Sequence, residues 1–545
     1  MVYCGKPSKG CGQCRSRKIR CDQARPTCSQ CAKANRVCPG YRDELSLMFR
    51  DESQMVVRKA KTGSSRSKSR TSKESSRTSS PNSSPNSVPQ AETEPLVLEE
   101  TFDFNVDPQQ ELIQQITRGP LVTRPSFAPT EFEAVCFFTR YNTWPGAFWS
   151  LSSMPNLFVS EGTPSQQAMK ASIISVGTAM LSRVTKSEPL KLLAERQYGS
   201  ALKLTNSALS NEVDAKENST LATVIILALF EVNTSRAPRS IENWTNHIQG
   251  AATLLGLRGP EQLQTPAGLQ LFLQLRFQII VSCLQKATYV PKSLLECTKA
   301  SMFLRPLHEA YGDRLINICG KLANLRADIN YGILTDESDA LSAAYAIEAE
   351  LIAWLAAIPS NFAYATVECE SVDSSFKDRC RGLLPYENRY HLYRSYWICN
   401  IWNQYRSARI ITNQIILGYM DAISGEKPFS SLPDDLQAQF TKISDTIHEL
   451  SVDVCASVPY HFGVGEMEGS IPGMAPQTES FIGGYILLWP LSLAGMTGCK
   501  GDPMRRWAAD CLKLIGHSMG IDQALALADI MESDEYFTPR RPQRG

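Results

Sequence analysis

Hydrophobic residues recur at a helical spacing through most of the chain beyond about residue 130. Apolar side chains there lie three and four positions apart or in unbroken runs, whereas the alternation typical of strands is rare. The segments with the clearest pattern are 168–181, 190–209, 219–232, 269–284, 336–358 and 434–450. The last two begin with Asp, a residue that favours helix N-caps. The pattern predicts an all-α region of many packed helices, too long for a simple bundle.

Two parts of this region lack the pattern and are predicted to be long loops, at about 360–388 and 456–480. The longest unbroken apolar runs, Leu221 to Phe230 and Ile486 to Ala494, are only half as long as the roughly 20 residues that cross a bilayer. The first ten residues also lack the apolar stretch of a secretory signal. We therefore expect no membrane segment.

The chain before the helical region changes composition twice. Residues 58–90 are basic and rich in Ser, with almost no apolar side chains to offset the entropy of ordering, which is typical of a disordered linker. From Thr101 the sequence becomes acidic and apolar, as expected of either the lead-in to a folded domain or an acidic activation segment. We divide the chain into a cysteine-rich domain at 1–45, a disordered linker at 46–110 and an all-α domain at 111–545.

Charge and cysteine content give the N-terminal domain its chemistry. The whole chain of 545 residues has a formal charge of only +1, with 43% hydrophobic and 20% charged residues, ordinary values for a globular protein. Residues 1–42, however, carry ten basic side chains against one acid, Asp22. Without a secretory signal, the seventeen cysteines are expected to be reduced, and clustered reduced cysteines favour metal binding.

Six cysteines form an array in which C-x2-C-x6-C occurs twice, with six residues between the copies. They are Cys11, Cys14, Cys21, Cys28, Cys31 and Cys38. Two separate tetrahedral zinc sites need eight bonds, which six single ligands cannot supply. Six thiolates suffice if two of them each bridge both metals, one from each copy at equivalent positions. The array therefore predicts a single cluster of two Zn2+ ions.

Other interpretations of the array are less favourable. A disulfide knot requires an oxidising compartment, which the N-terminus does not indicate. RING-like or ribbon modules use eight ligands for two zinc ions and often include a His, but the first His is His247.

The array with its surroundings resembles the fungal zinc binuclear cluster (Zn2Cys6) transcription factors. The resemblance covers Gly10 to Tyr41 and rests on C-G-Q-C-R-S-R-K-I-R-C-D, Pro26 and the G-Y after the last cysteine. It implies zinc ligation by all six cysteines, with Cys11 and Cys28 as the bridges. It also implies that Lys18 meets a CGG triplet in the major groove, where lysine can donate to guanine. Arg15, Arg17 and Arg20 would then mostly hold phosphates.

The helical region is similar to the fungal-specific transcription factor domain, an α-helical regulatory region. The similarity rests on segments 214–231, 244–259 and 271–280. His247 and the glycines after it could suggest catalysis, but close helix packing and a Gly C-cap explain them better. The sequence contains no H-E-x-x-H, P-loop or G-x-S-x-G motif. We predict no enzyme, and expect the six scattered His residues to lie at the surface or be satisfied in the core.

The sequence thus predicts a nuclear, DNA-binding transcription regulator of RNA polymerase II genes, with CGG half-sites in double-stranded DNA as its partner. The alternative is a zinc-cluster adaptor that docks acidic proteins through its basic end. Residues 43–57 lack the three heptads of a coiled coil. Homodimerisation through the helical region and binding to a single half-site both stay open. So does a small-molecule effector or coregulator bound by that region.

Overall fold

The structure is a computed structural model of the chain. The described residues are 11–38 except 18, 23, 25, 26 and 37, together with 131–142, 162–236, 239–305, 307–369, 371–425, 427–465 and 481–533. The predicted disordered linker lies outside them.

The elements are almost all α-helices. The cysteine-rich part contains α1 (Gly12–Ser16) and α2 (Ser29–Lys33). The helical region contains α3 (Glu131–Asn142), α4 (Pro164–Val184), α5 (Glu188–Leu209), α6 (Glu212–Lys216), α7 (Asn218–Thr234), α8 (Arg239–Arg258), α9 (Pro266–Lys286), α10 (Lys292–Met302), α11 (Leu307–Asn330), α12 (Glu337–Ala356), α13 (Ser374–Arg379), α14 (Tyr396–Ile423), α15 (Asp434–His461), α16 (Phe481–Gly495), α17 (Pro503–Ser518) and α18 (Asp522–Ser533). Strands β1 (Ala365–Glu368) and β2 (Arg389–Leu392) pair antiparallel, with Ala365 opposite Leu392. Short 3-10 turns lie at Pro260–Gln264, Ser360–Phe362, Tyr386–Asn388 and Phe429–Ser431.

The predicted mostly helical fold is confirmed, with each segment of helical periodicity lying in a helix. The predicted loop at 360–388 is wrong in part, because it contains β1 and α13. Strands of four residues are too short to show a clear alternation. The loop predicted from 456 is also wrong at its start, since α15 continues through Pro459 to His461. A proline in the last turn of a long helix removes only one late backbone hydrogen bond.

The packing around helix α7 explains why its sequence is apolar at almost every position from Leu221 to Phe230. It contacts α4, α5, α8, α9 and α18, so no face of it meets solvent over most of its length. Close packing continues where α3 crosses α4. A Cβ at Gly177 would lie 1.9 Å from the carbonyl oxygen of Ala134, so only glycine fits there.

Helix α9 has the length and hydropathy of a membrane span, the one such helix in the described part of the chain. It nevertheless packs as a core helix. Leu271, Leu275 and Ile279 are buried, and Arg276 lies 2.6 Å from the fully buried carboxylate of Asp313 on α11. A charge pair of this kind needs protein partners around it.

A buried arginine ties the hairpin to the helices of the second half. Arg406 on α14 is 1% exposed and donates to the hydroxyl of Tyr393 at 2.7 Å and to Asn403 Oδ1 at 3.0 Å. Its Nη2 lies 3.3 Å from His391 Nδ1 on β2, and its Nε lies 3.6 Å from Asp453 Oδ2 on α15. The guanidinium thus joins β2, α14 and α15 through one side chain.

Among the residues that the structure describes, His391 and His461 are buried in the core of the helical region and His247 is half-buried. Burial lowers the pKa of His247 and of His461 to about 4, and burial together with the Arg406 charge lowers that of His391 to about 2. His247 Nε2 lies 3.1 Å from the Tyr198 hydroxyl.

The glycine C-cap is confirmed as well, because Gly259 follows α8 with a φ of 68°.

These histidines predict an acid-sensitive fold. A group whose folded pKa is depressed takes up its proton on unfolding, so its contribution is complete above pH 6.5 and is lost as the pH falls toward 4. Each histidine can cost about 1.4 kcal/mol per pH unit within that window. The free energy of unfolding of the full chain, followed by far-ultraviolet circular dichroism, should therefore fall from pH 7 to pH 5.

The matched pair for this test is His247→Gln and His448→Gln. The first should flatten the pH dependence between pH 6.5 and 5, whereas the second should leave it unchanged because the His448 side chain is 61% exposed. Identical slopes for wild type and His247→Gln would contradict the argument.

Candidate metal centre

The two halves of the cysteine array are related in structure as they are in sequence. Helices α1 and α2 occupy equivalent positions seventeen residues apart, and each starts just after the first cysteine of its half. The N–H of Cys14 donates to Cys11 Sγ and that of Cys31 donates to Cys28 Sγ, both at 3.4 Å. In the same way, the N–H of Ile19 donates to the carbonyl of Cys14 and that of Arg36 to the carbonyl of Cys31, both at 3.0 Å. The repeat is therefore a structural one.

The sulfur atoms form two overlapping groups of four, and within each group all sulfurs lie within 4.8 Å of one another. The groups are Cys11, Cys14, Cys21 and Cys28, and Cys11, Cys28, Cys31 and Cys38. Both contain Cys11 and Cys28, whose sulfurs are 3.7 Å apart. Four sulfurs at about 2.3 Å from a tetrahedral zinc ion would be about 3.8 Å apart, so the spacing fits zinc.

The cysteines also take the place of a hydrophobic core. Cys11, Cys14, Cys28 and Cys31 are at most 2% exposed and form a cluster of their own with Cys21 and Cys38 packed against it. None of the six forms a disulfide, and burial raises the pKa of Cys31 to about 12 and also raises that of Cys14. Thiolates at such positions require a bound cation, which lowers the thiol pKa and satisfies the sulfurs.

The basic residues of the first half lie where α1 ends. Arg17 and Arg20 are exposed and follow Ser16, the last residue of α1. Arg15 is part of α1, but its side chain and the whole of Lys18 lie outside the described residues. In the second half, Lys33 and Arg36 are exposed as well.

One contact was not anticipated from the sequence. The carboxylate of Asp22 accepts the backbone N–H of Ser29, with Oδ1 at 3.1 Å and Oδ2 at 3.3 Å, and Oδ2 also accepts the Ser29 hydroxyl. These bonds, the hydroxyl bond most, lower the pKa of Asp22. The available signal was that Asp22 is the one acid among ten basic residues.

Comparison with known proteins identifies both folded parts. Residues 9–46 match the family model of the fungal Zn(2)-Cys(6) binuclear cluster domain, and residues 137–362 match that of the fungal specific transcription factor domain. The chain has the domain composition of a fungal Zn2Cys6 transcription factor. Its cluster domain is of the type that binds two zinc ions, in agreement with the sulfur geometry.

Two relatives that match parts of the chain are also named as transcriptional regulators. The transcription factor dbaG of Emericella nidulans is 26% identical over 250 residues, which is 43% of this chain and 56% of that protein. The transcriptional regulatory protein moc3 of Schizosaccharomyces pombe is 44% identical over 48 residues, 8% of this chain and 9% of that protein. The matches thus span about half of dbaG and a small part of moc3. No solved structure matches the chain.

The overlapping sulfur groups predict unequal effects of cysteine substitutions in the Zn2Cys6 domain. Cys28 belongs to both groups and Cys38 to one. Cys28→Ser should therefore leave less than about one zinc ion per chain, whereas Cys38→Ser should retain about one. Zinc per chain is measured by atomic emission on the full chain after gel filtration. Cys499→Ser, an exposed cysteine of the helical region, is the control and should keep both ions. Equal losses in the Cys28 and Cys38 variants would contradict the shared ligand.

Proposed function

We propose that the protein is a nuclear, sequence-specific DNA-binding regulator of genes transcribed by RNA polymerase II, and that it reads CGG-type sites through its zinc cluster. The observation that carries the proposal is the pair of sulfur groups that share Cys11 and Cys28, directly beside the basic end of α1. The cluster makes a rigid base on which a short helix can enter the major groove, a groove wide enough for one.

In this proposal the six cysteines hold two zinc ions, with Cys11 and Cys28 as the bridging ligands. Lys18 donates to guanine, and Arg15, Arg17 and Arg20 bind phosphates, which set the register on the duplex. The exposure of Arg17 and Arg20 supports this assignment. Four cations within six residues favour the first half over the second, where only Lys33 and Arg36 occupy the equivalent span.

We assign the remaining domains by the same reasoning. Residues 1–45 bind DNA, and residues 46–110 are the linker to the helical region. Residues 111–545 form the regulatory domain, which provides the contacts for dimerisation or for an effector or coregulator. We assign no catalytic activity. A cysteine and a histidine do lie close in the core, with Cys399 Sγ 3.3 Å from His461 Nε2. Both are fully buried, and burial raises the pKa of Cys399 and lowers that of His461, so the pair is neutral and out of reach of substrate.

The base-reading role predicts a specific defect for Lys18→Ala. The difference in binding free energy between a CGG-containing duplex and a scrambled duplex should shrink by about 1–3 kcal/mol. The measurement is a fluorescence-anisotropy titration of the zinc-loaded full chain at several salt concentrations. Affinity of the wild type should fall steeply as salt rises, because phosphate contacts release counterions.

Lys33→Ala is the control, since it removes an exposed cation from the second half. This substitution should weaken binding to the CGG-containing duplex and to the scrambled duplex equally. An unchanged discrimination in Lys18→Ala would refute base reading by this residue. A wild type that binds matched and scrambled duplexes equally would refute the proposed function and favour the adaptor.

A further inference from the structure

The contact between Asp22 and Ser29, which we call the clamp, breaks the symmetry of the cluster. The halves match at every cysteine with an offset of seventeen residues. At that offset the counterpart of Asp22 is Pro39 and the counterpart of Ser29 is Gly12. Neither has a side chain that can make the same bond. The clamp therefore runs in one direction, from the end of the first half to the start of the second.

The position of the clamp lets it fix the two halves relative to each other. Asp22 directly follows Cys21, which belongs to the first sulfur group alone, and Ser29 directly follows Cys28, which belongs to both. The bond spans seven residues of chain and ends on the first residue of α2. The sulfurs define where the metals lie, but tetrahedral ligation does not by itself fix how the chain between the cysteines is oriented. A carboxylate that accepts both an amide and a hydroxyl adds the directional contact.

The negative charge of Asp22 indicates that this residue has a specific role in the basic segment. It is the one acid in a basic segment of ten cations, and a carboxylate beside DNA repels phosphate. Its electrostatic cost to DNA binding is offset only if it does something that a neutral residue does not. The structure shows its oxygens turned onto Ser29.

We propose that the clamp is a positioning device for DNA recognition: it holds α2 against the end of the first half, and so fixes the orientation of the basic end of α1 on the cluster. This inference rests on the proposed function. In this proposal Asp22 and Ser29 bind neither base nor metal themselves, and they act through the orientation of residues 15–20. Loss of the clamp should therefore reduce discrimination between sequences and leave the metals bound.

Two substitutions at Asp22 separate hydrogen bonding from charge. Asp22→Ala and Asp22→Asn remove the same negative charge, but Asn keeps an oxygen that can accept the Ser29 amide. Both should bind scrambled DNA somewhat more tightly than the wild type, and equally so. The ratio of affinities for CGG and scrambled duplexes should fall about tenfold in Asp22→Ala, the scale of a charge-assisted hydrogen bond, and less in Asp22→Asn.

Substitutions at Ser29 test the clamp without a change of charge. Ser29→Ala should lower the ratio, and Ser29→Thr, which keeps the hydroxyl, should restore it. Adding Ser29→Ala to Asp22→Ala should cause no further loss, since both remove one link. Thr27→Ala deletes a hydroxyl from an exposed neighbour and is the matched control. All variants are measured as zinc-loaded full chains, with zinc per chain determined on each sample.

The outcomes are distinct. If the clamp variants have the same ratio of affinities for CGG and scrambled duplexes as the wild type, the inference is overturned while the proposed function stays intact. A fall in the ratio accompanied by loss of zinc would also overturn it, because the clamp would then serve metal binding. If the wild type itself shows no preference for CGG, the proposed function fails before the clamp variants are compared.

Discussion

Sharing of sulfur between two metal positions is the constraint on which the N-terminal domain depends. A segment of this size cannot bury enough apolar surface to fold alone, and among its described residues those that are buried are cysteines. The free energy of metal binding is therefore also the free energy of folding for this part of the chain. Because Cys11 and Cys28 each belong to both sulfur groups, the two halves cannot fold independently. The spacing of the ligands is fixed by this geometry, whereas the residues between them are not.

The helical region is stabilised in the opposite way. Its core is a large apolar cluster with members from α3 to α18, and several buried polar side chains, Arg406 among them, are hydrogen-bonded within it. Arg406 shows the cost and the use of such a group. A buried guanidinium must be desolvated, but its donors join β2, α14 and α15, which are far apart in sequence. The described part of this region is thus held by apolar packing, and removal of zinc is expected to disrupt residues 11–38 without unfolding helices α3 to α18.

Features that depend on residues close together in sequence could be predicted from it, whereas features that depend on contacts between distant residues could not. Helices such as α5 were predictable because periodicity is local, and the two-metal cluster because eight bonds must come from six ligands. The hairpin was missed because strands of four residues carry too little pattern, and the Arg406 network because its partners are up to 47 residues away in sequence. The Asp22 to Ser29 contact depends on the path of the loop between them, which no propensity specifies. The role of Lys18 was predicted from family resemblance alone.

The unequal charge of the two halves can be understood from what each constraint requires. Metal ligation demands equivalence only at the cysteines, and the matched N–H to sulfur bonds show that the backbone near them is equivalent too. A duplex groove, by contrast, accepts one helix end at a time, so cations on both halves would add nonspecific phosphate attraction without further base contacts. In the proposed function, a symmetric cluster with one recognition end therefore needs something that distinguishes its halves. Four cations distinguish the first half in charge, and the carboxylate of Asp22, bonded forward to Ser29, distinguishes it in geometry.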